Sequence, residues 1–229
     1  MFPFFWDRTM LLILPAFAFA LWAQWKVKST YRKYSQVASR SGMTGARAAR
    51  YILDANGLND IEVEEVPGEL TDHYDPKTRK IRLSQGIFSS NSLAALAVAA
   101  HESGHAVQDK VGYAAMNIRA NLVPVANLGS QLAIPLFFIG LLLPSFKILM
   151  DVGIVFFAGA VLFHLITLPV EFDASRRAIR ILNNGAYLAP DEVQGAKKVL
   201  DAAAWTYVAA ATMALLTLLR LVLIRNSRD

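Results

Sequence analysis

The sequence contains no cysteine and comparatively few charged residues. Without cysteine the chain can form neither disulfides nor thiolate metal sites, so any metal ion must be held by histidine, aspartate or glutamate. Charged residues make up 18% of the 229 residues, whereas they account for about a quarter of a typical soluble domain. Hydrophobic residues make up 55% and the mean hydropathy is +0.36, so the composition favours a membrane protein.

The apolar residues are concentrated in four long blocks. Each block is long enough to cross about 30 Å of hydrocarbon. We therefore predict four transmembrane helices, at about residues 2–25, 122–143, 148–169 and 203–224. The first block ends in bulky residues, with tryptophans at positions 22 and 25, rather than in a small-residue cleavage site, which favours a retained anchor over a signal peptide.

Two polar segments, 26–121 and 170–202, separate these spans. The first contains a helix at 44–56, a strand at 59–66, a hairpin at 73–83 and a helix at 91–109, and the second contains a charged helix that starts near residue 171 and another that opens near Pro190. The predicted fold class is a mainly α membrane protein with a small α+β part. We expect residues 1–229 to form a single membrane-embedded domain.

The basic residues are distributed unevenly about the predicted spans. Four spans place both polar segments on one side of the membrane, and that side carries 18 of the 23 lysines and arginines. Since lysine and arginine collect on the cytoplasmic side, we expect both segments to face the cytoplasm at a bacterial inner membrane. No run of basic residues interleaved with aromatics appears, so a nucleic-acid partner is not predicted.

The stretch HESGH at residues 101–105 follows the HExxH pattern and lies in the predicted helix 91–109. Residues four apart on a helix lie on one face about one turn apart, so His101 and His105 can bind one Zn²⁺ ion. Glu102 lies beside them, where it can take a proton from water activated by the zinc and pass it to the leaving amine. The alternative is a chance pair of histidines on a core helix.

A zinc hydrolase needs a third protein ligand, and no third histidine follows at short spacing. The candidates on the same side of the membrane are His73 and the carboxylates of 170–202. Glu171 is the best of them, since it stands where the third span ends. Ser175, four residues later on the same helical face, could hydrogen-bond a zinc-bound histidine. Alternatively, Glu171 is a first-turn glutamate favoured by the helix dipole.

The stretches SLAALAVAAHESGHAVQ and LPVEFDASRRA resemble the membrane neutral zinc metallopeptidases of the YugP type. The spacing of the apolar spans fits as well, so the resemblance covers nearly the whole chain. More distantly, the chain resembles the HtpX-type and CAAX prenyl membrane proteases, gluzincins that pair HExxH with a later Glu-x-x-x-Asp motif. The resemblance implies Glu171 as the third ligand. Where the distant relatives have the aspartate, this chain has Ser175, and Asp173 lies off that helical face.

Three further features are candidates for lesser roles. His164 lies in a predicted span, where it could line the active-site cavity, stabilise an oxyanion or simply hydrogen-bond a neighbouring helix. The hairpin that begins near His73 could pair with an extended substrate, as the resemblance suggests, and His73 or Tyr74 could polarise the scissile carbonyl; the alternative is an ordinary solvent-facing hairpin. The arginines at positions 176, 177 and 180 suggest contact with lipid headgroups.

These observations predict a zinc-dependent membrane peptidase whose partners are the lipid bilayer and protein or peptide substrates. One alternative is a non-proteolytic membrane protein with a structural zinc site, but such a site needs no base at Glu102. The other is a transporter with a zinc site. The candidate ligands lie on a polar helix and at the end of a span rather than across the middle of several spans, which disfavours transport.

Overall fold

A computed structural model describes residues 9–185 and 187–227, so residues 2–8 of the first predicted span lie outside the described residues. The described chain is mostly helical. Its elements, in chain order, are α1 Met10–Ser35, α2 Gly45–Ala55, β1 Glu62–Val66, β2 His73–Asp75, β3 Lys80–Ser84, α3 Gln85–Phe88, α4 Leu93–Lys110, α5 Ala114–Leu142, a 3₁₀ turn Pro144–Phe146, α6 Ile148–Asn184 and α7 Pro190–Asn226.

Four of these helices, α1, α5, α6 and α7, are long and apolar enough to cross a membrane. At most 28% of the most apolar window of each helix is buried inside the protein, so most of its side chains are left to contact lipid. The predicted fold class, a mainly α membrane protein with a small α+β part, is confirmed.

The helices continue beyond the apolar spans that the sequence predicts. We expected a separate charged helix after the third span, but α6 runs without a break through Pro169 to Asn184. Likewise, the helix that opens at Pro190 continues into the last apolar block. The change from apolar to charged residues marks where the helix passes from lipid to water, and the helix does not end there. Glu171 is therefore in the interior of α6, and a first-turn interaction with the helix dipole does not apply to it.

The chain divides into two compact units. The polar unit consists of Trp25–Met116 and Val170–Trp205, and the membrane unit of the other described residues. Within the membrane unit, an apolar cluster forms around Phe137, Met150, Leu221 and Ile224.

A three-stranded sheet with the order β1-β3-β2 lies in the polar unit. β1 pairs with β3 in parallel, and β2 pairs with β3 antiparallel through the register Tyr74↔Ile81. The predicted strand in 59–66 and the predicted hairpin at 73–83 are therefore confirmed. The helix predicted at 44–56 is also present as α2, with Thr44 Oγ1 accepting a hydrogen bond from the Arg47 N–H at its N-terminus. The order of the strands leaves β2 at one edge of the sheet.

α4 is the central helix of the polar unit. Ser92 caps its N-terminus by accepting the Ala95 N–H at 3.2 Å. Most of its residues are buried against α2, the polar part of α6 and the first turns of α7, in clusters that include Ile52, Leu96, Leu182 and Leu200. The helix that carries residues 101–105 is thus held on several sides.

Candidate metal centre

α4 and α6 bring three potential metal ligands together within the polar unit. His101 Nε2 lies 3.2 Å and His105 Nε2 lies 3.6 Å from Glu171 Oε2. One ligand atom from each of the three residues lies within 4.8 Å of the others. Among the described residues, these three form the group of histidine and acidic side chains that lie close enough together to hold a metal ion.

The two histidines project from consecutive turns of α4. Their ring centroids are 4.7 Å apart and the ring planes are nearly perpendicular, at 85°. This arrangement follows from the spacing of four residues on a helix. Both side chains are largely removed from solvent, since 13% of the His101 side chain and 10% of the His105 side chain are exposed.

Gly104 lets the backbones of α4 and α6 approach each other. A Cβ atom at position 104 would lie 2.8 Å from the carbonyl oxygen of Ala174, closer than real Cβ atoms come to backbone atoms. Glycine therefore permits a helix contact that a larger residue would force apart. The contact is three residues from Glu171, so it helps to set the distance between that carboxylate and the two histidines.

Glu102 lies beside the three-ligand group but is not a member of it. Its side chain is buried, and its Oε2 accepts a hydrogen bond of 2.9 Å from the backbone N–H of Tyr74. That N–H belongs to the edge strand β2 and points away from β3 toward α4. The second oxygen, Oε1, has no hydrogen-bond partner among the described residues, so it is available to accept a proton.

Gln108 orients the ring of His105. The Gln108 amide nitrogen donates to the carbonyl oxygen of Val170 at 2.8 Å and to Asp173 Oδ2 at 2.9 Å. These two bonds turn Gln108 Oε1 toward His105 Nδ1, 2.9 Å away. Because an amide oxygen only accepts, His105 Nδ1 carries a proton, and Nε2 is the nitrogen that faces Glu171 and would bind a metal ion once its own proton is lost.

Ser175 is close to the other histidine. Its Oγ lies 3.2 Å from His101 Nδ1, within hydrogen-bonding distance. The sequence predicts this contact between Ser175 and a ligand histidine. Asp173, by contrast, reaches His105 only through Gln108, and its carboxylate also accepts a bond of 2.6 Å from Arg177 Nε. Each histidine therefore has its own partner on α6 or α4.

The electrostatics favour an ionised carboxylate between the two imidazoles. Burial would raise the pKa of Glu171, which lies beyond the apolar part of α6, but hydrogen bonds from His101 and His105 outweigh burial and lower it. Burial would likewise lower the pKa of His105, and the bond to Glu171 raises it instead. Glu171 thus presents a negatively charged oxygen to the same space as two imidazole nitrogens.

The sequence of the chain is similar to those of known proteins. The model of a family described as putative neutral zinc metallopeptidase matches residues 9–226. The chain belongs to this family. It is also 49% identical over 221 residues to the putative membrane protease YugP of Bacillus subtilis (strain 168), and the match covers 96% of this chain and 98% of that protein. No solved structure matches the chain significantly.

Membership of the neutral zinc metallopeptidase family implies zinc as the metal. The donor chemistry of the site fits that ion, because two imidazole nitrogens and one carboxylate oxygen are a ligand set that hydrolytic zinc sites use. The absence of cysteine throughout the chain agrees as well, since thiolate-rich structural sites are excluded. The resemblance to this family that the sequence indicated is confirmed.

Two other histidines that the sequence singled out are not in the donor group. His73 is on the exposed side of β2, where its Nδ1 lies 2.8 Å from the carbonyl oxygen of Thr71. His164 is in the apolar part of α6, and its ring meets that of Phe163 edge-on with centroids 5.9 Å apart. Roles for either in stabilising an oxyanion stay predictions.

Gln108 and the backbone of Tyr74 are the contributors that sequence reasoning missed. Gln108 offered a signal: it is an uncharged polar residue three positions after His105, so it shares a helical face with that ligand. The sequence gives no signal for the Tyr74 N–H. Nearly every residue has a backbone N–H, and only the fold decides which acceptor it bonds.

We expect a Gln108→Ala variant to bind zinc about 10–100-fold more weakly than the wild type, the usual cost of removing the hydrogen-bond partner of a ligating histidine. Competition with a chromophoric chelator measures that affinity. Ser103→Ala is the matched control, because Ser103 is also fully buried on α4 but bonds only to the Ala99 carbonyl. Equal zinc affinity in the two variants would contradict the role assigned to Gln108.

Proposed function

We propose that the protein is a zinc-dependent endopeptidase of the membrane that cleaves membrane-associated proteins or peptides. His101, His105 and Glu171 would hold the zinc ion, and Glu102 would act as the general base. The observation that carries this proposal is the position of Glu102: its carboxylate lies next to the three-ligand group without belonging to it.

The number of ligands favours catalysis over a structural role for the metal. Structural zinc sites use four protein ligands, whereas catalytic sites use three and leave one position open. The group formed by the described residues offers three. A buried glutamate beside that open position has no purpose in a structural site. A non-proteolytic protein with a structural zinc site is therefore the weaker alternative.

The chain's own residues provide the proton transfers of hydrolysis. A bound zinc ion supplies Lewis acidity and lowers the pKa of water to about 7. Glu102 Oε1 can accept the proton of the attacking water and return it to the leaving amine. The Tyr74 N–H holds Oε2 at 2.9 Å and so keeps the carboxylate oriented for that transfer.

The edge strand β2 supports an extended peptide as the substrate. Peptides commonly bind proteases by adding a strand to an exposed sheet edge. The outward N–H of Tyr74 is bonded to Glu102, so a peptide added beyond this edge could not use that donor, but it would lie close to the base. Within the segment 73–84 the substrate-binding edge would be β2, because β3 is the central strand of the sheet.

The test of this function is cleavage of a membrane-protein mixture by the detergent-purified full chain. Wild type and a Glu102→Gln variant are compared at matched zinc content, with and without a chelator. Chelator-sensitive cleavage by the wild type alone is the result that the proposal requires. A structural site gives no cleavage in either form, and a transport site gives altered ion flux instead.

We further propose that both polar segments, 26–121 and 170–202, face the cytoplasm at a bacterial inner membrane, which the lysine and arginine distribution supports. Reporter fusions at residues 60, 146 and 190 measure the orientation. The expected result is a cytoplasmic signal at 60 and 190 and an external signal at 146. An external signal at 60 or 190 would overturn the orientation while leaving the chemistry of the site unaffected.

A further inference from the structure

A groove of about 580 Å³ lies between α1 and α7 within the polar unit. α1 lines it with Lys26, Ser29, Thr30 and Lys33, residues whose spacing places them on one face of the helix. α7 contributes a face of its own that includes Lys198 and, two turns later, Trp205. None of these residues belongs to the metal-ligand group. The groove is therefore a concave surface separate from the metal-ligand group, and two regular helices build it.

The groove is positively charged. Among residues 9–185 and 187–227, none of the lysines at positions 26, 33 and 198 has an ion-pair partner. Lys33 Nζ lies 5.5 Å above the ring centroid of Tyr34, a cation–π contact. One carboxylate, Asp201, also lines the groove, but it is paired with Lys197 Nζ at 2.6 Å. The three lysines therefore leave the groove with a net positive charge, which attracts an anion.

Two tryptophans line the end of the groove from which α1 and α7 continue into their apolar segments. Trp25 is 65% exposed and Trp205 is 44% exposed. Tryptophan is enriched where a membrane meets water, because its ring is apolar and its N–H is polar. The hydroxyls of Ser29 and Thr30 lie between this aromatic end and Lys33. The sequence of groups along the groove therefore matches an amphipathic ligand with an anionic head.

We propose that this groove binds an anionic glycerophospholipid of the cytoplasmic leaflet, with its headgroup phosphate among Lys26, Lys33 and Lys198. The tryptophans would lie at the level of the glycerol backbone and the first acyl carbons. A free phosphate ion could use the lysines but would gain nothing from Trp25 and Trp205. The lipid is therefore the ligand that accounts for both ends of the groove.

Native mass spectrometry of the full chain in a non-ionic detergent tests this proposal. The protein is titrated with phosphatidylglycerol, with phosphatidylcholine, and with phosphatidylglycerol in the presence of inorganic phosphate. We expect one phosphatidylglycerol molecule to bind more tightly than the others, phosphatidylcholine to bind weakly, and inorganic phosphate not to compete at the same concentration. Since each lysine near a membrane surface contributes a factor of about 5, Lys198→Gln should weaken binding about 5-fold and K26Q/K33Q about 25-fold.

The matched control is the double variant K28Q/R32Q. It removes two charges from the same stretch of α1, but neither residue lines the groove. Phosphatidylglycerol affinity should stay at the wild-type value in this control. An equal loss in K28Q/R32Q and K26Q/K33Q would show a diffuse surface attraction and overturn the site. Equal binding of both lipids, or full competition by inorganic phosphate, would overturn the lipid assignment. Lys198→Gln decides the matter independently if the double variant fails to fold.

Discussion

A Glu102→Gln variant is expected to keep its zinc and its fold while peptide hydrolysis falls by about 10²–10⁴-fold, the usual contribution of a positioned general base. Glutamine has nearly the same shape as glutamate, and its amide oxygen can still accept the Tyr74 N–H that now bonds Oε2. The three-ligand group is untouched by the change. Only the capacity to take a proton from water is lost.

Cleavage rates of wild type and variant at matched zinc content measure this effect. Glu65→Gln is the control, since it makes the same chemical change at an exposed position on β1. We expect that control to cleave at the wild-type rate. Equal, chelator-sensitive cleavage by wild type and Glu102→Gln would show that another group acts as the base, and the proposed mechanism would fail.

The second large effect concerns the metal itself. Removing the Glu171 carboxylate in a Glu171→Ala variant should weaken zinc binding by more than the about 10–100-fold that loss of an outer hydrogen-bond partner costs. Two histidines on one helix would remain as ligands, which is fewer than hydrolytic zinc sites use. The same truncation also removes the charge that lies 3.2 Å from His101.

Zinc affinity, measured by chelator competition, checks this expectation. Phe172→Ala is a suitable control, because it truncates the adjacent residue of α6, whose side chain is 40% exposed and is not among the ligands. Full zinc affinity in the Glu171→Ala variant, with loss in His101→Ala and His105→Ala, would assign the third ligand to another residue.

The sequence predicted the parts of the site that depend on local geometry. His101, Glu102 and His105 are neighbours on one helix, and helical periodicity alone places them on adjacent positions of its surface. The Thr44 helix cap and the hairpin before α4 also depend only on residues close together in the sequence, and both are present. The proximity of Glu171 depends on packing between distant segments, and there the family resemblance added what periodicity could not.

The rest of the site depends on contacts between residues far apart in the chain. Gln108 gains its role only because α6 places the Val170 carbonyl and Asp173 next to it, 62 and 65 residues away. The Tyr74 N–H reaches Glu102 across 28 residues. The continuity of α6 was mispredicted for another reason: a proline and a change of composition suggest a boundary, but a helix tolerates proline where neighbouring groups satisfy the freed carbonyl.

The close approach at Gly104 has a consequence for the comparison of this protein with its relatives. The HExxH pattern treats position 104 as open to any residue. In this fold a side chain there would meet the Ala174 carbonyl and push α6, with its ligand, away from α4. A homologue could therefore keep both histidines and both glutamates and still be unable to assemble the site. Position 104 should therefore be compared together with the three ligand positions when relatives of this protein are examined.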